Sequence, residues 1–299
     1  MPRDNPPRGE AAPVEAILEW FAREGRPLPW RDPSTSPWGV LVSEVMLQQT
    51  PVFRVLPAWG AWMARWPTPA ALAAAPPAEV VRAWGRLGYP RRAQRLWESA
   101  VAIERQFAGI VPNDEALLRQ LPGVGEYTAA AVAAFAYGRR TVVLDTNVRR
   151  VIARIVSGVA GPTSHLTNAE RSLAAMLVPS DAAASALWNV AAMELGAVVC
   201  TSRAPRCGEC PAAASCAWLA AGRPPATTAQ RTAQPWRGSD RQVRGRVLAL
   251  LRTAATPVSV TGNAALADVE PGQLDRCLEG LLADGLVRLA SSERGTYEL

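Results

Sequence analysis

Four of the chain's five cysteines, Cys200, Cys207, Cys210 and Cys216, fall inside the 17-residue run CTSRAPRCGECPAAASC, separated by six, two and five residues. Four thiols this close in sequence either ligate a common centre or crosslink a tight loop. Thiolates are soft ligands that a reducing compartment leaves free, which favours zinc or an iron-sulfur cluster over a pair of disulfides. Ligand chemistry alone leaves both centres open, since each accepts four sulfurs arranged tetrahedrally. The opening MPRDNPPRGEAAP holds no apolar targeting core, and no stretch approaches about 18 uninterrupted apolar residues. The expected location is therefore the cytoplasm, in association with the nucleoid. Cys277, outside the run on an apolar helical face, reads as a core thiol.

The body of the chain is patterned for helices. AEVVRAWGRLG, RRAQRLWESAVAIERQF and NAERSLAAML carry apolar residues at helical intervals, and alternating β-type runs are nearly absent before residue 240. Short Pro or Gly breaks punctuate them, which predicts an all-α body. Residues 221–238, AGRPPATTAQRTAQPWRG, lack periodicity and read as a linker. Beyond it, Val243, Val247, Leu250 and Leu251 make one apolar face and Leu274, Cys277, Leu278, Leu281 and Leu282 another, followed by a hairpin pattern in LVRLASSERGTYEL. Helices followed by a terminal hairpin suggest a winged-helix-like module over 239–299, and residues 1–13 read as a disordered tail. A formal charge of +6 with a sequence pI near 9.5 adds a weak vote for a polyanionic partner.

Two further segments carry chemistry. LPGVGEYTAAAVAAFAYG places Gly123, Val124 and Gly125 ahead of a helix of small residues. Glycines there let backbone N–H groups approach a phosphate at a positive helix terminus, although GVG before a helix is equally a common turn. Asp145, 20 residues after Gly125 in VLDTNVRRV, is placed to cap a helix. A second acid, Glu44 in VLVSEVMLQQT, has Val40, Leu41, Leu47 and Gln48 at helical spacing. Such an apolar face raises a carboxyl pKa, and a carboxylic acid kept protonated near neutral pH can donate a proton.

LPWR at 28–31, SEVMLQQT at 43–50, LGYPRRA at 87–93, LPGVGEYTA, LDTNVRRV and the spaced cysteines together resemble the MutY-type adenine DNA glycosylases of the endonuclease III superfamily, across roughly residues 14–220. That resemblance implies a helix-hairpin-helix glycosylase fold: a six-helix barrel over 33–139, and a cluster domain formed by 14–32 and 140–220. It implies a 4Fe-4S cluster on Cys200, Cys207, Cys210 and Cys216. Glu44 becomes the general acid, Asp145 the group that stabilises an oxocarbenium-like transition state, and Tyr127 and Asn147 catalytic helpers. Leu28, Trp30, Arg31 and Val190 line the base pocket. Gln48, Gln49, Thr50, Tyr89, Gly123, Val124, Gly125 and Arg149 meet DNA, with Gln49 and Tyr89 wedged into the duplex where the flipped adenine leaves a gap. The partner implied is double-stranded DNA containing adenine opposite 8-oxoguanine or guanine, bound by a monomer and with no membrane involved.

Bifunctional relatives form a Schiff base through a lysine at the place Tyr127 occupies. This sequence contains no lysine, so all 32 of its basic Lys and Arg residues are arginines and that lyase route is closed. Water is then the nucleophile and an abasic site the product. Two departures bear on the substrate. Val190 stands where these relatives place Gln or Glu, and the C-terminal module is shorter and more helical than a MutT-like domain. They keep two alternatives open: a mismatch thymine or uracil glycosylase, and a non-enzymatic iron-sulfur DNA-binding regulator.

Overall fold

The structure is a computed structural model describing residues 11–226, 236–290 and 295–299. Most of the tail read at 1–13, the middle of the linker read at 221–238 and the tip of the terminal hairpin lie outside the described residues. The chain is mostly helical, and its contacts divide it into two compact units. Among the described residues no helix is long and apolar enough to cross a membrane.

The first unit comprises the described residues up to Leu41, Asn113–Arg119, and those from Val124 through the cysteine loop. It holds α1 (Ala11–Glu24), α7 (Glu115–Leu118), α8 (Glu126–Tyr137), α9 (Thr146–Ile155), α10 (Asn168–Leu177), α11 (Ala182–Val198) and α12 (Ala217–Ala220). Helix α9 starts because the Asp145 side chain accepts from Val148 N–H, and α10 because Thr167 and Glu170 form a reciprocal capping box. Val148, Val151, Ile152 and Ile155 then recur at helical spacing and face Ile17, Trp188, Leu195 and Trp218 in one core. Helix α8 is buried without interruption from Thr128 to Ala134, which only small residues permit at such close approach.

The second unit comprises Val42–Pro112, Gln120–Gly123 and the C-terminal residues. Helix α2 (Pro37–Leu47) passes into it, followed by α3 (Val52–Arg65), α4 (Pro69–Ala73), α5 (Pro77–Trp84) and α6 (Arg91–Phe107). Pro51 ends the chance of continuing α2, whereas Pro69 and Pro77 sit at the first positions of α4 and α5, where no N–H is needed. Ala93, Leu96, Ala100 and Ile103 form the buried stripe of α6.

The C-terminal segment orders as α13 (Asp240–Thr253), β1 (Val258–Ser259), a single 3-10 turn (Ala264–Leu266), α14 (Pro271–Ala283), β2 (Arg288–Leu289) and β3 (Thr296–Glu298). The strands pair antiparallel in the order β1-β3-β2, with Val258 opposite Tyr297 and Leu289 opposite the same residue. The segment thus combines two helices, a 3-10 turn and a three-stranded sheet. Its core joins Val243, Val247, Leu251, Leu274, Leu278 and Leu281, and Cys277, 1% exposed, lies within it as a core thiol.

Candidate active site

In the first unit the chemistry gathers at the start of α9. Asp145 Oδ1 accepts from Val148 N–H at 2.6 Å and its Oδ2 from Asn147 Nδ2 at 2.7 Å. Asp145 thus caps α9 with one oxygen while Asn147 holds the other. Burial pushes the Asp145 carboxyl above its ordinary range, and the Val148 N–H, the Asn147 amide and the Arg150 charge oppose that rise. Asn147 Oδ1 in turn accepts from Arg150 Nη2 at 2.8 Å. The same guanidinium donates to Gly196 O at 2.7 Å and, through Nε, to Cys200 O at 2.7 Å. A continuous hydrogen-bonded chain thus runs from the carboxylate to the backbone of the first clustered cysteine.

The approach to Asp145 is clamped from α11. Asn189, 1% exposed, donates to Thr141 O at 3.0 Å and accepts from Val143 N–H at 3.2 Å. Val190, the next residue, is half-buried. Tyr127 packs with Ala130, Ala134, Val143 and Met193, its hydroxyl 3.9 Å from Met193 Sδ. Arg149 is turned away from this group: its Nη2 pairs with Glu170 at 2.9 Å and reaches the carbonyls of Thr163 and His165.

The segment read as a base pocket is held by a residue the sequence did not single out. Glu194, with a side chain only 1% exposed, takes Arg26 on both carboxylate oxygens and Arg31 Nη2 at 2.8 Å. Burial pushes the Glu194 carboxyl up, but the hydrogen bond from Arg26 and the charge of Arg31 outweigh it and hold the group below its ordinary range. Arg31 also lies over the Phe21 ring, 5.4 Å from its centroid. The loop between these arginines carries the buried Leu28 and Trp30.

The four cysteines of the run are not disulfide-bonded, and all line a single cavity with Arg154, Val199 and Trp218. Arg154 Nη1 lies 3.4 Å from Cys200 Sγ and donates to Thr201 O, its Nη2 and Nε hold the carbonyls of Ser202 and Ala160, and its guanidinium stacks on Trp218 at 4.5 Å. Burial and then the neighbouring thiols push the Cys210 thiol up to about 11. Among the described residues, no three His, Cys, Asp or Glu side chains converge as a set for one metal ion.

In the second unit Glu44 lies on α2, 4% exposed, among the buried Val42, Ser43, Val45 and Met46. The end of that helix and the start of α6 make two projecting tips. Gln49 (φ 55°) and Tyr89 (φ 47°) both adopt the left-handed backbone that side chains ordinarily avoid, and both are exposed. A single guanidinium lies beneath them. Arg92 Nη1 donates to the carbonyls of Val45 (2.9 Å), Met46 (2.9 Å) and Gln48 (2.6 Å). Its Nη2 reaches Thr50 Oγ1 (2.9 Å), Gly88 O (3.0 Å) and Leu87 O (3.3 Å). Burial pushes the Arg92 guanidinium down to about 10, yet among the described residues no carboxylate pairs with it; the orphan carbonyls at the end of α2 do. Trp84 lies under Arg92 at 5.2 Å and donates to Gly88 O at 2.9 Å, bracing the Tyr89 tip from below.

The hairpin glycines differ in kind. Gly123 has φ 80°, and a Cβ there would sit 2.7 Å from Arg95 Cβ, so both backbone and space demand glycine. Gly125 caps α8 in extended backbone with open space around it and no side-chain cap for the helix's first N–H groups. Val124 between them is buried.

A short helix, a glycine hairpin and a second helix, followed by a helix-capping aspartate and a four-cysteine loop, define a helix-hairpin-helix protein. Residues 42–175 match the family model described as HhH-GPD superfamily base excision DNA repair protein. The chain is 50% identical over 283 residues to the adenine DNA glycosylase of Mycolicibacterium smegmatis, covering 95% of this chain and 94% of that one. It is 52% identical over 271 residues to the adenine DNA glycosylase of Mycobacterium tuberculosis, covering 91% and 88%. Against the human adenine DNA glycosylase it is 43% identical over 210 residues, covering 67% and 38%. The chain belongs to the adenine DNA glycosylase family of base excision repair enzymes. Among solved structures, a thermostable thymine-DNA glycosylase matches with TM-score 0.64 and 27% identity, covering 71% of this chain and 97% of that one. A non-covalent endonuclease III-DNA complex matches with TM-score 0.60 at 21% identity, covering 71% and 95%, which bears on the fold alone.

Proposed function

We propose that this chain, acting as a monomer on duplex DNA, hydrolyses the N-glycosidic bond of adenine opposite 8-oxoguanine or guanine, without lyase chemistry. The observation that carries the reading is the Asp145 carboxylate, aimed by Asn147 and Val148 N–H and backed by Arg150. A fixed anion of this kind stabilises positive charge developing on deoxyribose as the base departs. Adenine leaves poorly as an anion, and Glu44, buried on α2, is the acid that protonates it. Water completes the hydrolysis, because no lysine is present to form an imine.

Leu28, Trp30, Arg31 and Val190 receive the base, the latter giving an apolar contact where relatives place a polar one. Gln48 and Thr50 support the two tips, and Gln49 and Tyr89 fill the stack. Gly123, Val124 and Gly125 bring backbone N–H groups to a phosphate at the start of α8. Arg149, which pairs with Glu170 and donates to the carbonyls of Thr163 and His165, contacts DNA from this braced position.

Cys200, Cys207, Cys210 and Cys216, four soft thiol donors lining one cavity, are the residues that would hold a 4Fe-4S cluster. Such a group would crosslink the loop in which Arg150 holds the carbonyl of Cys200 and Arg154 those of Thr201 and Ser202.

The test is a base-release assay on duplexes carrying A opposite 8-oxoguanine, A opposite G, and T or U opposite G, with and without subsequent alkali. Strand breaks from the A-containing duplexes that require alkali, lost in Asp145→Asn while binding persists, are the expected result. Release of T or U instead, or breaks without alkali, overturns it.

A further inference from the structure

Above the Tyr89 tip the C-terminal segment adds a surface that the excision chemistry does not use. The module is locked to α5 and α6. Val81 of α5 is buried within the module's apolar core, and Arg252 Nε donates to Val81 O at 3.2 Å. Asp284, its side chain only 4% exposed, pairs both with Arg91 at the start of α6 and with Arg244 on α13. This fixes where the start of α13 falls. Arg241 Nη1 comes to 3.5 Å from the Tyr89 hydroxyl and lies over the Trp236 ring, 4.8 Å from its centroid. Trp236 is 53% exposed and Tyr89 46% exposed.

Single exposed aromatics are ordinary, but two flanking one exposed guanidinium are a built combination. Among the described residues no carboxylate pairs with Arg241. Its neighbour Asp240 is committed to Gln273 and Arg276. The apolar faces are thus poised for stacking and the cation for an anion, which is the chemistry of a nucleic-acid strand.

We infer that Tyr89, Trp236 and Arg241 form one aromatic and cationic ledge by which the C-terminal module contacts duplex DNA beside the wedge, with Arg241 on a phosphate and the rings against sugar or unstacked base. The inference rests on the reading of Tyr89 as a wedge residue. An acidic protein would also answer Arg241, but the ledge is continuous with a tip whose strained backbone projects it outward.

The experiment titrates full-length protein against a fluorescent duplex carrying A opposite 8-oxoguanine, over a range of salt concentrations, for wild type, Arg241→Ala, Arg241→Lys and Trp236→Ala. Losing one phosphate contact should reduce the slope of log affinity against log salt by about 0.9 in Arg241→Ala, and Arg241→Lys should restore it. Trp236→Ala should weaken binding about tenfold with the slope unchanged. Thermal melting and base release at saturating protein should stay at the wild-type level in all three. Unchanged affinity and slope in both alanine variants overturn the inference, as does lost affinity accompanied by lowered melting, which makes the contact a mere fastening. If the wild type binds the duplex but releases no base, the excision reading fails while the ledge is still measured.

Discussion

Arg92→Met tests whether one buried guanidinium holds both tips. It strips the donor from the carbonyls of Val45, Met46, Gln48, Leu87 and Gly88. Those near the exposed tips recover water, whereas Val45 and Met46 are buried. Each buried acceptor left unsatisfied costs about 1–3 kcal/mol, or roughly 2–6 kcal/mol for the pair, and removing a desolvated cation returns part of it. A net loss of about 3 kcal/mol follows, which lowers the melting temperature by roughly 6–12 °C. The left-handed backbone of Gln49 and Tyr89 costs about 1 kcal/mol at each tip and relaxes once unpinned. On the proposed role of the two tips that energy is restored when they enter the duplex, so KM for the mismatched duplex should rise about 30-fold with kcat little changed. Arg92→Lys should fall between, because a compact ammonium satisfies one side of the fork and cannot span both. Calorimetry and steady-state base release measure the two effects. A variant that melts within about 1 °C of wild type with an unchanged KM, or one that loses kcat alone, refutes the reasoning.

Arg150→Met removes a charge that holds the Asp145 carboxyl down against burial. Because that pKa is already raised, activity falls as pH drops through it, and the acid limb of single-turnover base release should move to higher pH; an unmoved limb counts against the coupling. Glu194 is held below its ordinary 4.5, so its contribution to stability is present above that value and is lost as pH falls through the folded pKa. Glu194→Gln leaves the part-buried Arg26 and Arg31 without their carboxylate: it should cost about 2–3 kcal/mol at pH 7, less than for a fully buried pair, and flatten the acid dependence of melting below pH ~4.5. Cys210→Ser should lose iron, brown colour and DNA affinity together; a colourless wild type rich in zinc by elemental analysis refutes the cluster assignment.

What could be read from the sequence was local. The cysteine spacing, the hairpin glycines and Asp145 with its cap lie within a few residues of the partners that give them meaning, and the helical intervals in α5, α6 and α10 are set by burial on one face. Glu194 and Arg92 escaped because their partners are distant in the chain: Arg26 lies 168 residues from Glu194, and the α2 carbonyls lie 44 to 47 residues from Arg92. Nothing in MELG or LGYPRRA signals such a hub. Arg149 is a further case, since its ion-pair partner Glu170 is supplied by the next helix and nothing beside Arg149 in the chain marks it. In a lysine-free chain the ion-pair partner of a buried, ionised Glu is most simply arginine, but nothing local in the sequence marks Glu194, rather than the likewise buried Glu44, as the one that Arg26 and Arg31 hold.

The shared carboxylate of Asp284 has a practical corollary for dissecting this molecule. Cutting the chain before α13 would strip the cover from Val81, leave Arg91 without its counter-ion and remove Arg241 from the tyrosine tip in a single stroke. A truncated protein would then lose solubility, a structural clamp and a strand contact together, and its weakened activity would say nothing about which of them mattered. The C-terminal segment is a wall of the second unit, and its contribution can be resolved only one side chain at a time.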